Sequence, residues 1–305
     1  MGRYVGRKLL ALPLVLLGVS FLVFGAIRLL PGDPARIMAG DQATGEAIAG
    51  MRHRLGLDKP FLLQYGLFLT QAAQGDFGIS IRSKQPVLSE VTRRFPYTVA
   101  LASSAYGFAI VIGTVAGVVA AVRGGWVDHL VMAMTILAAS TANFWLALVG
   151  MMVFAVELDW LPLLGAGSPA HYVLPTAALG LLPTAIIARM TRSGMLDALR
   201  QDHVRTARAK GLRETVVTLR HALRNALIPI VTIVGLNFGG LLGGAVVTET
   251  VFNWPGIGSL LVDSVRDRDY PMIEALVLLS VFSVVIVNLI ADAAIALLDP
   301  RLRLG

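Results

Sequence analysis

The sequence predicts an all-α integral membrane protein with six transmembrane helices and a small helical extracytoplasmic domain after the first helix. Three observations carry this. Hydrophobic residues make up 56% of the 305 and charged residues only 15%, against roughly a quarter charged in soluble domains. The charges are clumped, which leaves apolar runs of the length a bilayer needs: about 20 residues at a rise of about 1.5 Å cross a hydrocarbon core of about 30 Å. The basic residues gather at the ends of those runs, the pattern that orients helices in a membrane. In lipid each run must be helical, because its backbone N–H and C=O groups find no water there.

The runs are 9–29, 99–122, 130–156, 172–190, 226–250 and 273–296. The first follows Arg3, Arg7 and Lys8, as a secretory signal would, but it is longer than a typical signal core. No small-x-small cleavage site follows it, so it reads as an uncleaved first helix. Pro31-Gly32-Asp33-Pro34 stops it and opens a polar segment, 31–98. Within that segment 45–56 and 60–73 carry helical spacing, as in Leu62, Leu63, Leu67 and Phe68, and Gly75-Asp76-Phe77-Gly78 marks a turn.

Orientation follows from the stretch 189–224. Its nine cations are Arg189, Arg192, Arg200, Arg205, Arg208, Lys210, Arg213, Arg220 and Arg224; against them stand Asp197, Asp202 and Glu214, a net of +6 out of +7 for the chain. That loop is cytoplasmic by the positive-inside rule. Six spans then put the N-terminus, the turn at Arg123 and the tail with Arg301 and Arg303 on the same side, and 31–98 outside. The arginines of 31–98 do not oppose this, since long loops translocate largely regardless of charge. The charge therefore speaks for a lipid bilayer and not for nucleic acid.

Gly235, Gly239 and Gly243 recur every four residues in the fifth span, beside Gly240 and Gly244, and Gly113 and Gly117 do so in the second. Such spacing lets helix backbones approach closely; tight packing and sliding faces both fit it. Polar residues in the spans are few: Asn143, Asn237 and Asn288, with Glu249 and Asp292 near span ends. For Asn237 and Asn288 two roles stand open, hydrogen bonding between helices and lining of a path. No series of ionisable side chains runs through the middle of the spans, which speaks against a proton- or ion-coupled pump.

Enzymatic chemistry is not written here. The absence of cysteine excludes disulfides, thiolate metal sites and a thiol nucleophile. None of the four lysines (Lys8, Lys59, Lys84, Lys210) follows a glycine, so there is no phosphate-binding loop. The five histidines are scattered, and neither H-E-x-x-H nor G-x-S-x-G occurs. The expectation is a non-catalytic chain with no cofactor or metal of its own.

The basic loop is the most informative segment. His203-Val204-Arg205-Thr206-Ala207-Arg208-Ala209-Lys210-Gly211-Leu212 reads as a short helix ended by a glycine, followed by a second helix leading into the fifth span. A solvated loop that only holds topology is one reading. The other is a docking knob: small Ala207 and Ala209 let a helix seat closely in a groove, and Gly211 permits a sharp exit.

Arg205-Thr206-Ala207-Arg208-Ala209-Lys210-Gly211 resembles the E-A-A-x-x-x-G loop of permease subunits of binding-protein-dependent ABC importers, in the dipeptide/oligopeptide/nickel branch, where the leading Glu is often replaced. Further stretches resemble that branch in order: Leu30-Pro31-Gly32-Asp33-Pro34, Leu55-Gly56-Leu57-Asp58-Lys59-Pro60, Gly75-Asp76-Phe77-Gly78, Val251-Phe252-Asn253-Trp254-Pro255-Gly256-Ile257-Gly258, Asp269-Tyr270-Pro271 and Asp299-Pro300-Arg301. The wording is most similar to the branch's glutathione permease subunits, and only slightly less so to its dipeptide and nickel subunits.

The resemblance implies a type I ABC importer permease fold in a bacterial inner membrane, with 1–96 as first helix plus outer domain, 97–296 as the transport core and 297–305 as a cytoplasmic tail. It implies a second homologous permease subunit, two ATPase subunits that bind the ATP and Mg, and an extracytoplasmic binding protein that delivers a peptide: glutathione, a dipeptide or an oligopeptide. Residues 205–211 would meet the ATPase, with Arg208 and Lys210 as donors. Residues 251–258, Asn253, Trp254, Pro255 and Gly256 among them, would face the binding protein together with 31–98. Asn237 and Asn288 would be candidates for the path. The alternatives are a nickel-chelate permease of the same branch and a self-contained secondary carrier.

Overall fold

The computed structural model describes residues 2–29, 35–36, 43–54 and 56–298; side chains of 2–12, 29, 54, 292–298 and part of 228–244 lie outside that description. The Leu30–Pro34 and Asp299–Arg301 motifs therefore fall outside it, as do Leu55, the side chains of Asn237 and Asp292, and the packing around Gly235 and Gly244.

The described residues form helices. In chain order they are α1 (Gly2–Leu29), α2 (Gly45–Arg54), α3 (Phe61–Ala73), α4 (Val87–Arg123), α5 (Gly125–Ser140) and α6 (Asn143–Gly150), which continues as a π-helix over Met151–Glu157. Next come α7 (Val173–Leu199), α8 (Asp202–Ala209), α9 (Leu223–Val251), α10 (Ile257–Arg266) and α11 (Tyr270–Leu298). A π-helical turn, Val217–Ala222, feeds α9. Among the described residues the only β pairing is an isolated bridge between Ile79 and Pro86.

Val87–Arg123, Pro169–Leu199 and Tyr270–Ala291 are long and apolar enough to cross a membrane. The expected run 130–156 is not one straight helix: α5 and α6 meet at a bend of 103°. Thr141 closes α5 by turning both its N–H (3.1 Å) and its hydroxyl (2.7 Å) onto the Leu137 carbonyl. Thr141 and Ala142 are then extended, with ψ of 133° at each. Helix ends also differ from the apolar runs. α4 starts at Val87, well before residue 99, and α7 continues to Leu199, past residue 190. Apolarity marks where lipid ends, whereas i→i−4 hydrogen bonding continues into water with polar residues such as Arg93, Arg94 and Asp197.

The chain divides into two compact units: Met1–Val5, Tyr97–Ser259 and Val284–Gly305 form one, and Gly6–Pro96 with Leu260–Ser283 the other. In the first, α4 and α7 pack backbone to backbone. A Cβ on Gly117 would fall 2.5 Å from the Ala188 carbonyl oxygen and from Thr191 Cβ, and one on Gly113 would fall 2.8 Å from the Thr184 carbonyl oxygen. Tight packing is thus the role of those two glycines. Asp128 of α5 accepts from the Arg192 guanidinium of α7, which ties the two helices at one end. In the second unit Arg28 lies 3.2 Å over the Phe24 ring and donates from Nη1 to Glu274 Oε1 (3.2 Å) and from Nε to Gln64 Oε1 (3.0 Å).

Candidate functional site

α8 is amphipathic. Val204 and Ala207 point inward, 0% and 5% exposed, into a cluster with Met195, Ala198, Val217, Ala222 and Ala226. Arg205, Thr206, Arg208, Ala209, Lys210 and Gly211 are exposed. Of the two small residues expected to seat in a partner's groove, Ala207 belongs to the chain's own core and Ala209 lies on the outer face. Asp202 in the first turn and Arg208 in the last suit the helix dipole.

The glycine exit forms as expected. Gly211, at φ +76°, donates to the Arg208 carbonyl (2.9 Å), and Leu212 N–H reaches back to Ala207 (3.4 Å), the paired bonds of a Schellman cap. Arg208 grips Glu214 with both arms of its guanidinium, Nε at 2.7 Å and Nη2 at 3.3 Å. That contact holds the Glu214 carboxyl below the ordinary carboxylate range and raises the Arg208 guanidinium. Arg208 thus braces the turn after α8 with an exposed ion pair, while Lys210 makes no ion pair among the described residues.

The segment after α9 is a second built site. Glu249, fully buried, accepts from Thr98 Oγ1 (2.6 Å), Gly258 N–H (2.7 Å) and Ser259 N–H (3.0 Å). Thr98 Oγ1 in turn takes the Ile257 N–H (2.9 Å). A carboxylate thus sits on the first turn of α10, where orphan N–H groups and the helix dipole favour a negative charge. The two glycines exist for it: a Cβ on Gly256 would overlap the carboxylate, and one on Gly258 would lie 2.9 Å from Oε2. Trp254 is 0% exposed; its indole donates to the Tyr97 carbonyl (3.1 Å) and meets Tyr172 edge-on at 4.5 Å. Of Asn253, Trp254, Pro255 and Gly256, the second and fourth are buried, and only Asn253, at φ +47°, is fully exposed.

Asn288 packs against Gly239, where a Cβ would fall 2.6 Å from Oδ1. That oxygen is buried, and among the described residues no donor reaches it. A cavity of about 230 Å³ opens in the same unit between Tyr106, Asn143, Leu179, Pro183, Ile187 and Leu241. Asn143 opens α6 just past the bend, so the broken helix borders the cavity.

The Asp269-Tyr270-Pro271 motif is also a carboxylate cage, in the other unit. Asp269, 2% exposed, takes the Ser80 hydroxyl and the Arg82 N–H (3.3 Å) on Oδ2 and lies at the head of α11, where Met272 N–H approaches Oδ1 (3.4 Å). Neither cage stood out in the sequence. The signal for the first was an acid seven and nine residues before paired glycines at a helix start, Glu249 with Gly256 and Gly258.

Comparison with known proteins assigns the chain. Residues 109–304 match the family "Binding-protein-dependent transport system inner membrane component", and residues 1–102 match the N-terminal region of such membrane components. The chain is 47% identical over 302 residues to the glutathione transport system permease protein GsiC of Escherichia coli strain K12, covering 99% of both chains. The same identity and coverage hold for GsiC of Salmonella paratyphi A. Among solved structures, an inward-facing MetNI methionine ABC transporter aligns at a TM-score of 0.57 with 19% identity, over 68% of this chain and 96% of that one. An amino acid ABC transporter crystallised with histidines aligns at 0.52 with 12% identity, over 70% and 94%. These last two speak to fold alone. The chain belongs to the inner-membrane components of binding-protein-dependent transport systems, the permease subunits of ABC importers.

Proposed function

We propose that this permease carries glutathione or another short peptide inward across the bacterial inner membrane, paired with a second, homologous permease. Two ATPase subunits below and a substrate-binding protein above complete the transporter. The observation that carries the substrate is the 47% identity, end to end, with permeases named for glutathione transport. In this reading the chain crosses the membrane six times with both termini in the cytoplasm, and ATP and Mg bind the partner ATPases. Residues 1–96 are the first helix and an outer segment, 97–296 the transport core and 297–305 the tail.

α8 and its cap, Arg205 to Gly211, form the ATPase-coupling loop. Its outer face of Arg205, Thr206, Ala209 and Lys210 makes the contact, while Arg208 and Gly211 hold its shape. Asn253 and Pro255 offer surface to the binding protein, and Trp254 and Gly256 set the loop that carries them. Asn288, with an acceptor that finds no donor among the described residues, suits a path that admits a polar substrate or water; Asn237 stands with it.

The test is the ATPase activity and uptake of the assembled transporter in vesicles, with its own binding protein, on glutathione, dipeptides and nickel chelates. Stimulation by glutathione or by dipeptides supports the proposal. Stimulation by nickel chelates alone would replace the substrate class, and transport without ATPase chains would overturn the assignment of partners.

A further inference from the structure

We propose that α3 (Phe61–Ala73) lies inside the outer leaflet of the bilayer, with Leu62, Leu63 and Leu67 against lipid acyl chains, and not in the water above it. The proposal rests on the reading of α1 as a membrane span. It changes the reading of segment 31–98, which the sequence placed wholly outside.

The first observation is depth. α3 packs along α1 from Leu17 to Arg28, and these two stretches belong to one compact unit. The Tyr65 hydroxyl donates to the Leu17 carbonyl (2.9 Å) and lies 2.8 Å from Ser20 Oγ. The Phe61 ring stands edge-on to Phe21 (5.7 Å) and Phe24 (5.5 Å), and Phe68 lies 5.4 Å from Phe24. Leu17 precedes the end of α1 at Leu29 by twelve residues, about 18 Å along a helix. A helix bonded to Leu17 and stacked on Phe21 is at hydrocarbon depth wherever α1 crosses.

The second observation is composition. The thirteen residues FLLQYGLFLTQAA hold no charge. Charges bracket them: Asp58 and Lys59 before, Asp76 after. At about 20 Å, α3 is too short to cross a core of about 30 Å, so it enters and returns on one side. Gly56 (φ +65°) and Gly75 (φ +79°) supply the turns at its two ends. Thr70, on the outer face, returns its hydroxyl to the Leu67 carbonyl (2.8 Å), which satisfies it without water.

The third observation is the uncovered face. The aromatic rings occupy the side toward α1. The opposite side presents Leu62, Leu63, Gly66 and Leu67, neighbours at helical spacing, with the leucines 72%, 52% and 39% exposed. α1 likewise leaves an apolar face open, with Leu14, Leu17, Phe21 and Leu22 73%, 46%, 43% and 69% exposed. An uncharged apolar face left open at the depth of a span is covered by what covers the span, namely lipid.

The chain has no cysteine, so single-cysteine variants report one position each. Leu63→Cys and Leu67→Cys are compared with Ala47→Cys, exposed on α2, and Leu22→Cys, exposed on α1, all in the assembled transporter in lipid. Only a thiolate reacts with a membrane-impermeant maleimide, and hydrocarbon raises a thiol pKa by a unit or more, so labelling should be about tenfold slower than at Ala47→Cys. A bimane placed at 63 or 67 should also be quenched by nitroxide-bearing acyl chains as strongly as one at Leu22→Cys. Labelling at the rate of Ala47→Cys would overturn the proposal in favour of water. Slow labelling without quenching would overturn it in favour of a protein partner on that face. Failure of the span reading looks different: Leu22→Cys itself would escape quenching, and the proposal would fall with it.

Discussion

Replacing Glu249 with alanine removes the acceptor for three donors at once: Thr98 Oγ1, Gly258 N–H and Ser259 N–H. A hydrogen bond to a charged group contributes about 1.5–3 kcal/mol, and a buried donor left without a partner costs about 1–3 kcal/mol. Against this stands the relief of no longer burying a carboxylate, itself several kcal/mol. The balance is a loss of about 3 kcal/mol, the usual size for breaking a buried charged network. In a domain of this size that is a fall of roughly 5–10 °C in melting midpoint, read by heating the purified transporter and measuring what remains monodisperse. The cage makes a sharper demand. Gly256→Ala alone should also destabilise, because its Cβ would overlap the carboxylate. In Glu249→Ala that space is empty, so the double variant should melt higher than the sum of the two losses predicts, a coupling that only neighbours show. If Glu249→Ala melted at the wild-type temperature, or if the two losses simply added, the carboxylate would not be what holds the start of α10.

The remaining expectations follow from the same geometry. Ala207→Asp places a charge in the packed face of α8, where Ala207 is 5% exposed, and should lower the folded yield. Ala209→Trp, on the exposed face, should leave assembly intact and uncouple ATP hydrolysis from uptake; if Ala209→Trp transports at the wild-type rate, α8 is not the ATPase contact. Gly117→Ala pushes a Cβ onto the Ala188 backbone and should cost about 1–3 kcal/mol by overpacking, whereas Gly107→Ala, with nothing within 4 Å, should stay within about 1 kcal/mol of wild type. The Glu214 carboxyl is held low by Arg208. A lowered folded pKa gives a contribution present above the unfolded value of 4.5 and lost as pH falls through the folded one. Amide protection at the end of α8 should therefore fall on acidification in the wild type and stay flat in Glu214→Gln.

The spans were legible because lipid imposes a coarse rule, an apolar run without charges, and α4, α7 and α11 obey it. The basic loop was legible for the same reason inverted: its cations cannot enter lipid. The break between α5 and α6 was not, because Thr141 and Ala142, whose extended backbone makes the bend, carry neither the ring of proline nor the freedom of glycine. Arg28 with Glu274 was not legible because the pair joins residues 246 apart in sequence. The N-W-P-G-I-G stretch reads as surface in the sequence, yet its tryptophan is core and its glycines make room for Glu249. A motif shows that a shape is demanded; only the packing shows whether the demand comes from outside or from the chain itself. α8 answers both ways, with Ala207 turned inward and Ala209 outward.

The most direct test of the permease assignment is a crosslink from that outer face. Ala209→Cys, the sole cysteine in the chain, would be joined by a short bifunctional thiol reagent to cysteines placed along the surface groove of a cysteine-free ATPase subunit in the assembled transporter. The predicted result is a covalent pair between this chain and the ATPase, formed from position 209 and not from Ala47→Cys on α2. Formation of the pair from Ala47→Cys, or its absence from position 209 in a transporter that still hydrolyses ATP in response to substrate, would contradict the account.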